Sequence, residues 1–272
     1  MADSSHVPGE SAIELLFESR DLPRFELPPE LSTAYGGAVG FESPRWFANF
    51  VASVDGVVAL PLASESGHVI SASSEADRFV MGLLRACADT IVIGAGTFRH
   101  ASQDLFRADA IYPKGASAFA ELRKRLGLAP EPRFVLVTRS GAVDLTGPAL
   151  DGAVIVTTEA GAAALGSELP RSTRVVALKG DPLRLRDVRD LLEGEGSRFV
   201  LSEGGPSLVA DLIHERVLDE LFLTTSPALY GRFPNDGRKS LTNGLDLAGV
   251  PLELVSLRRH ASYLFSRYAL RG

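Results

Sequence analysis

Cysteine is almost absent from this chain: Cys87 is the single one in 272 residues. One thiol excludes an internal disulfide framework and a multi-cysteine zinc site. Positive charge is also in short supply. Lys and Arg total 28 against 34 Asp and Glu, a net charge of -6. A duplex-binding surface has the reverse balance, so no nucleic acid partner is expected. No apolar run reaches the roughly 18 residues of a membrane span. The opening "MADSSHVPGES" has neither the basic patch nor the apolar core of a secretory signal. The five histidines are scattered, with no two at metal-ligand spacing, and neither HExxH nor GxSxG occurs. The expectation is a soluble cytoplasmic protein with no metal and no membrane partner.

Hydrophobic residues make up 45% of the chain and charged residues 23%, which suits a folded core rather than disorder. Residues 1–44 read as an irregular extension. Within it "SAIELLFESR" is a candidate short helix, and "DLPRFELPPELSTAYGGAVG" reads as a Pro- and Gly-rich loop. Residues 45–272 read as one domain. "RWFANFVASVDGVVAL" predicts two strands joined in a hairpin at Val54-Asp55-Gly56. "SASSEADRFVMGLLRACA" predicts a helix capped by Ser73 or Ser74, with Phe79, Val80, Leu83, Leu84 and Cys87 on one face. The β-branched run "DTIVIG" predicts a strand covered on both sides. From there to "DELFLTTSPALYG" strand and helix candidates alternate, and the tail "LELVSLRRHASYLFSRYAL" reads as an antiparallel edge hairpin. The fold class is α/β: three layers, with a mixed, mostly parallel sheet flanked by helices.

Ligands of open α/β sheets collect where strands end and helices begin. Two such ends are unusual. In "IVIGAGTFR", Gly94 and Gly96 strip side chains from the corner, and Thr97 follows. In "LSEGGPSL", Gly204 and Gly205 allow close backbone approach, Pro206 suits the first helical position, and the next N–H groups, of Ser207 and Leu208, form an anion site. Either glycine pair alone serves a tight turn equally well. Glu203, just ahead of the second corner, either hydrogen-bonds a ligand or caps the helix. Asp55 is either a turn residue or a second functional acid.

Taken in order, "NFVASVDG", "LLRACADTIVIGAGTFR" and "LSEGGPSLVADLIHERVLDELFLTTSPALYG" resemble the reductase domain of riboflavin biosynthesis, over about residues 45 to 270. That family shares the dihydrofolate reductase-like fold. The resemblance implies a homodimeric NADPH-dependent reductase that converts a ribosylamino group on a pyrimidine to a ribitylamino group. It puts NADPH against Ala52, Thr97 and the turn and helix from Gly205 to Asp211. It assigns Thr138, Arg139 and Ser140 to the adenosine 2′-phosphate. Asn49, Arg85, Leu105, Arg107 and Glu203 fall on the substrate side, although Arg85 at the flank of its helix equally suits a surface charge. Glu203 is the first candidate for the catalytic acid and Asp55 the second.

Three departures mark the chain. Ala101, Ser102 and Gln103 replace the acid-and-proline signature after Thr97. Gly67 stands where the family commonly offers a hydroxyl, and the HxE/PCxxC deaminase signature is missing. The first two leave open a pterin, dihydrofolate-like or other small imine or carbonyl substrate. A module that binds NADPH without turning it over is the third possibility.

Overall fold

A computed structural model describes residues 12–61, 66–99, 106–145, 147–165, 169–233 and 235–271. Its strands, in chain order, are β1 (Glu14–Glu18), β2 (Arg45–Ser53), β3 (Val57–Ala59), β4 (Thr90–Gly94), β5 (Arg133–Val137) and β6 (Val154–Thr158). They continue with β7 (Arg174–Leu178), β8 (Phe199–Ser202), β9 (Glu220–Ser226), β10 (Lys239–Ser240), β11 (Leu252–His260) and β12 (Tyr263–Leu270). The helices are α1 (Pro29–Tyr35), α2 (Ser66–Ile70), α3 (Glu75–Cys87), α4 (Ala95–Phe98) and α5 (Ala108–Ile111). They end with α6 (Ala116–Arg125), α7 (Glu159–Ala164), α8 (Leu185–Gly194) and α9 (Pro206–His214).

Ten strands form one sheet in the order β1-β11-β12-β9-β2-β8-β4-β5-β6-β7. From β9 to β7 all neighbours are parallel, and from β9 outward to β1 all are antiparallel. β4 shows why the parallel part sits inside: Ile91 and Ile93 enter the core on one face, Val92 the core on the other. α3 and α6 cover the first face with Phe79, Leu83, Phe119 and Leu122. α8 and α9 cover the second with Val188, Leu192, Val209 and Leu212. Each such fully buried side chain contributes about 1.5–3 kcal/mol. The mixed three-layer architecture expected from the alternating pattern is present.

Three local expectations are corrected: in the stretch read as a Pro- and Gly-rich loop, Pro29–Tyr35 form α1 and bury Leu31 and Tyr35 in the core. "SAIELLFESR" contains a strand, not a helix. β1 pairs antiparallel with β11, Glu14 opposite Arg259 and Glu18 opposite Ser256, so the extension completes the sheet edge beyond the C-terminal hairpin. The anticipated β2–β3 hairpin is also not a ladder. The turn exists, with the Gly56 N–H donating to the Ser53 carbonyl at 2.8 Å and Gly56 at φ 79°. β2 then lies between β8 and β9, while β3 pairs with β10 in a separate two-stranded sheet.

Candidate active site

Strand order decides which residues meet. β2, β8, β4 and β5 are consecutive and parallel, so their carboxyl ends put Ala52, Glu203 to Gly205, Gly94 to Thr97 and Thr138 to Ser140 along one edge. The two glycine corners touch. A Cβ on Gly205 would lie 2.7 Å from Thr97 Oγ1, and one on Gly204 only 2.5 Å from Leu208 Cδ2. The buried Leu208 side chain therefore already requires a glycine at 204, while Gly205 faces only the end of the Thr97 side chain. Gly96 differs: a Cβ there would meet nothing within 4 Å, so its bareness leaves open space at the edge. α9 follows its N-cap residue Gly205, with Pro206 in its first turn and no side chain capping it. The Ser207 and Leu208 N–H groups sit in that first turn, where an α-helix has no partner for them. The Leu208 side chain is buried in the core, so only its backbone can serve a ligand.

At the next strand end Thr138 is buried and its Oγ1 accepts from the Gly141 N–H at 3.2 Å. Ser140 Oγ accepts from the Ala142 N–H at 3.3 Å. Arg139 reaches across to α9 and donates to Asp211 Oδ2 at 2.5 Å. Burial raises the Asp211 pKa, and the Arg139 charge opposes that rise.

Below this edge, on the α3 face of the sheet, Arg85 and Glu203 meet. Arg85 Nε donates to Glu203 Oε1 and Oε2 at 3.0 and 3.1 Å, and its Nη2 donates to Oε2 at 2.7 Å. The two side chains are 3% and 5% exposed. Arg85 is thus no surface charge. Its Nη1 donates to the Arg107 carbonyl at 3.2 Å, and its guanidinium lies 5.5 Å from the Phe106 ring centre. With both oxygens taken up by one guanidinium, Glu203 serves as an acceptor that ties α3 to the end of β8. This geometry argues against the proton-donor role expected of it. The Arg107 side chain turns to Asp109 and Glu131. Asn49 lies one step past the Ala48–Ser202 pair of β2 and β8 and lines a small cavity with Val80 and Thr224. Leu105, and the Ala101 to Gln103 segment, lie outside the described residues.

Asp55 has a structural task. It accepts from Ser53 Oγ at 2.5 Å, from the Tyr230 N–H at 3.3 Å and from the Gly231 N–H at 2.6 Å. Its carbonyl accepts from Arg232 Nη2 at 2.9 Å. The Ser53 hydroxyl foremost, then these amides, lower its pKa despite an opposing desolvation contribution. A lowered pKa suits a clamp between the β2–β3 turn and the 230–232 loop and disfavours an acid catalyst.

Sequence reasoning missed Asp77. The residue is 9% exposed in the first turn of α3, with the Thr224 and Ser71 hydroxyls acting to lower its pKa. Burial foremost, with the Glu203 charge, pushes its pKa up to about 6 against the lowering effect of those hydroxyls. A signal was present: Asp77 precedes Val80 by three and Leu84 by seven, which places a carboxylate on the apolar stripe. Among the described residues no three His, Cys, Asp or Glu gather where they could hold a metal ion. No described helix is long and apolar enough to cross a membrane.

Comparison with known proteins gives this edge a context. Over 191 residues, 69% of this chain and 82% of the relative, the sequence is 25% identical to a 2,5-diamino-6-ribosylamino-4(3H)-pyrimidinone 5′-phosphate reductase from Archaeoglobus fulgidus. The fold is similar to that of a pyrimidine reductase-like protein from Corynebacterium diphtheriae. The TM-score is 0.69 at 21% identity, covering 91% of this chain and 96% of that one. RibD from Acinetobacter baumannii is similar with a TM-score of 0.63 at 17% identity, covering 89% of this chain and 60% of that one. A family model of the RibD C-terminal domain matches residues 44–264. That match starts one residue before β2 and runs into β12, across every strand that frames the site, and the chain belongs to the RibD C-terminal domain family.

Proposed function

We propose that the protein is an NADPH-dependent oxidoreductase that reduces a phosphorylated ribosylaminopyrimidine, turning its ribosylamino group into a ribitylamino group. The observation that supports this reading best is the row of four parallel strand ends, with an uncapped helix N-terminus and the open space at Gly96. Family membership and the named activity of the archaeal relative point the same way.

The residues present fit a dinucleotide. The Ser207 and Leu208 N–H groups of α9 suit the pyrophosphate. Arg139, flanked by Thr138 and Ser140, suits a 2′-phosphate at the adenosine end. Ala52 brings a small side chain to the end of β2, beside these groups. When bound, a reduced nicotinamide supplies the hydride. The chain's part is to position the substrate on the α3 side, where Asn49 and the Arg85–Glu203 pair lie, and to hold a proton there. In the same reading the protein acts in the cytoplasm as a homodimer, and the half-exposed Leu252 and Leu264 of the C-terminal hairpin suit a subunit contact.

A second substrate reading has an observation of its own. Glu203 already occupies the buried guanidinium of Arg85, which leaves that cation less free for a phosphate. A pterin, dihydrofolate-like or other uncharged imine or carbonyl fits that arrangement. Following NADPH absorbance with the phosphorylated pyrimidine, its dephosphorylated form and a dihydropterin decides between them. Oxidation with the phosphorylated compound supports the main reading, and oxidation only with the others supports the second. NADPH binding with no oxidation by any of them leaves a non-catalytic binding module.

A further inference from the structure

We propose that Asp211 is a specificity-determining residue of the dinucleotide site. Its carboxylate accepts from a ribose 2′-hydroxyl and opposes a 2′-phosphate, so it narrows the preference for NADPH over NADH. This inference rests on the dinucleotide reading and adds to it the group that tempers Arg139. Arg139 alone would favour the phosphate, because a guanidinium meets phosphate oxygens with two parallel donors. It is not alone. Its Nη2 donates to Asp211 Oδ2 at 2.5 Å, and among the described residues neither side chain has another ion-pair partner.

The place suits such a choice. α9 shows solvent a stripe of Ser207, Asp211 and His214, while Leu208, Val209, Leu212 and Ile213 enter the core. Ser207 opens that stripe in the first turn, where its N–H suits the pyrophosphate. Asp211 stands one turn along, about 6 Å by the helical rise. In an adenine dinucleotide a single ribose separates the pyrophosphate from the 2′ position. Arg139 comes from the end of β5, its carbonyl accepting from Thr158 Oγ1 at 2.9 Å, and its side chain reaches across to the stripe. The Arg139 side chain is 59% exposed and that of Asp211 24%, so a ligand can reach both from solvent. Glu215, one turn further on, is turned away to the Arg186 N–H at 3.1 Å.

Electrostatics set the sign of the effect. Together Arg139 and Asp211 carry no net charge, and a phosphate placed on the guanidinium meets the carboxylate beside it. Like charges brought together there cost affinity. A 2′-hydroxyl meets no such penalty, since it donates to the carboxylate and accepts from the guanidinium. A carboxylate on the ribose 2′-hydroxyl is the general device for holding NADH, and an arginine the one for the 2′-phosphate. This chain sets both groups against each other in one pair. Selectivity is the difference between the two affinities, and Asp211 acts on it by weakening one and supporting the other.

The test measures the Kd of NADPH and of NADH for the full chain by fluorescence titration, in the wild type, Asp211→Asn and Asp211→Ala. Both variants should fold, since an exposed ion pair contributes little stability. In Asp211→Asn the ratio of the NADH Kd to the NADPH Kd should rise by about tenfold or more, through tighter NADPH binding and weaker NADH binding. Asp211→Ala should move the ratio the same way, which separates the lost charge from any contact of the new amide. Adenosine 2′,5′-bisphosphate against AMP repeats the comparison without a nicotinamide and should show the same change. A ratio that stays put in both variants overturns the proposal and leaves the cofactor site standing. So does a loss of NADPH affinity as large as that in Arg139→Ala, which would make Asp211 a support that aims the arginine. A wild type that binds neither dinucleotide overturns the dinucleotide reading, and the role of Asp211 with it.

Discussion

Arg85 and Glu203, 118 residues apart in sequence, face each other as a buried pair with Nη2 at 2.7 Å from Oε2 and Nε near both oxygens. The pair joins α3 to the end of β8, directly below the glycine corner. Both charges have left water, so each depends on the other. Arg85→Ala should cost about 3–5 kcal/mol, because it strands a buried carboxylate. Arg85→Met combined with Glu203→Leu should cost far less than the sum of the single changes. Urea unfolding measures both, and additive losses would show that the two side chains do not depend on each other.

Gly96 separates a binding edge from a mere tight turn. An alanine there meets no protein atom within 4 Å, so Gly96→Ala should change stability by less than about 0.5 kcal/mol. If the dinucleotide fills that space, its Kd should rise tenfold or more, about 1.4 kcal/mol. Gly204→Ala should destabilise the fold itself, since its Cβ would press on the buried Leu208 side chain, 2.5 Å from Cδ2 and 3.2 Å from Cβ. Calorimetric titration with NADPH checks the first variant and thermal unfolding the second. Unchanged affinity in Gly96→Ala would remove the cofactor from that corner.

Arg139 should matter for recognition more than for folding. Its side chain is 59% exposed in the pair with Asp211, and exposed pairs contribute about 0–1 kcal/mol. Arg139→Ala should therefore unfold nearly as the wild type does, while its preference for NADPH over NADH collapses. Fluorescence titration with each dinucleotide provides the comparison. A preference that survives the substitution would place the 2′-phosphate elsewhere.

Asp55 ties the stability of the 230–232 loop to pH. Its folded-state pKa lies below the ordinary aspartate value, chiefly through the Ser53 hydroxyl. The clamp is therefore fully present above the unfolded pKa and is lost as pH falls through the folded one. The Tyr230 and Gly231 amides, which donate to Asp55, should be protected from hydrogen exchange at pH 6 and lose protection below about pH 3.8. Asp55→Ala should remove that protection at every pH, and an unchanged exchange pattern would count against the clamp.

One of the glycine positions singled out in the sequence turns out to have an internal reason. The bareness of Gly204 is explained by the buried Leu208 side chain, a contact that cannot be read from a Gly-Gly pair. Asp55 was visible as a turn residue, but its loop partners Tyr230 and Gly231 lie 175 and 176 residues away. The strand in "SAIELLFESR" escaped notice because Leu15, Leu16 and Phe17 are all exposed and show no two-residue alternation. Only pairing with β11 makes that segment extended.

The sequence by itself determined the elements whose cause is local. Ser74 caps α3, the stripe from Phe79 to Cys87 buries one side of it, and the run from Thr90 to Gly94 fills a strand covered on both faces. Periodicity and capping involve residues three or four apart, so they can be seen along the chain. The tertiary structure alone decided that Glu203 spends its charge on Arg85, that Thr97 lies against Gly205, and that Asp77 is buried. Those outcomes follow from the strand order β9-β2-β8-β4-β5. Strand order is set by how whole faces pack together, and no short window of sequence contains it.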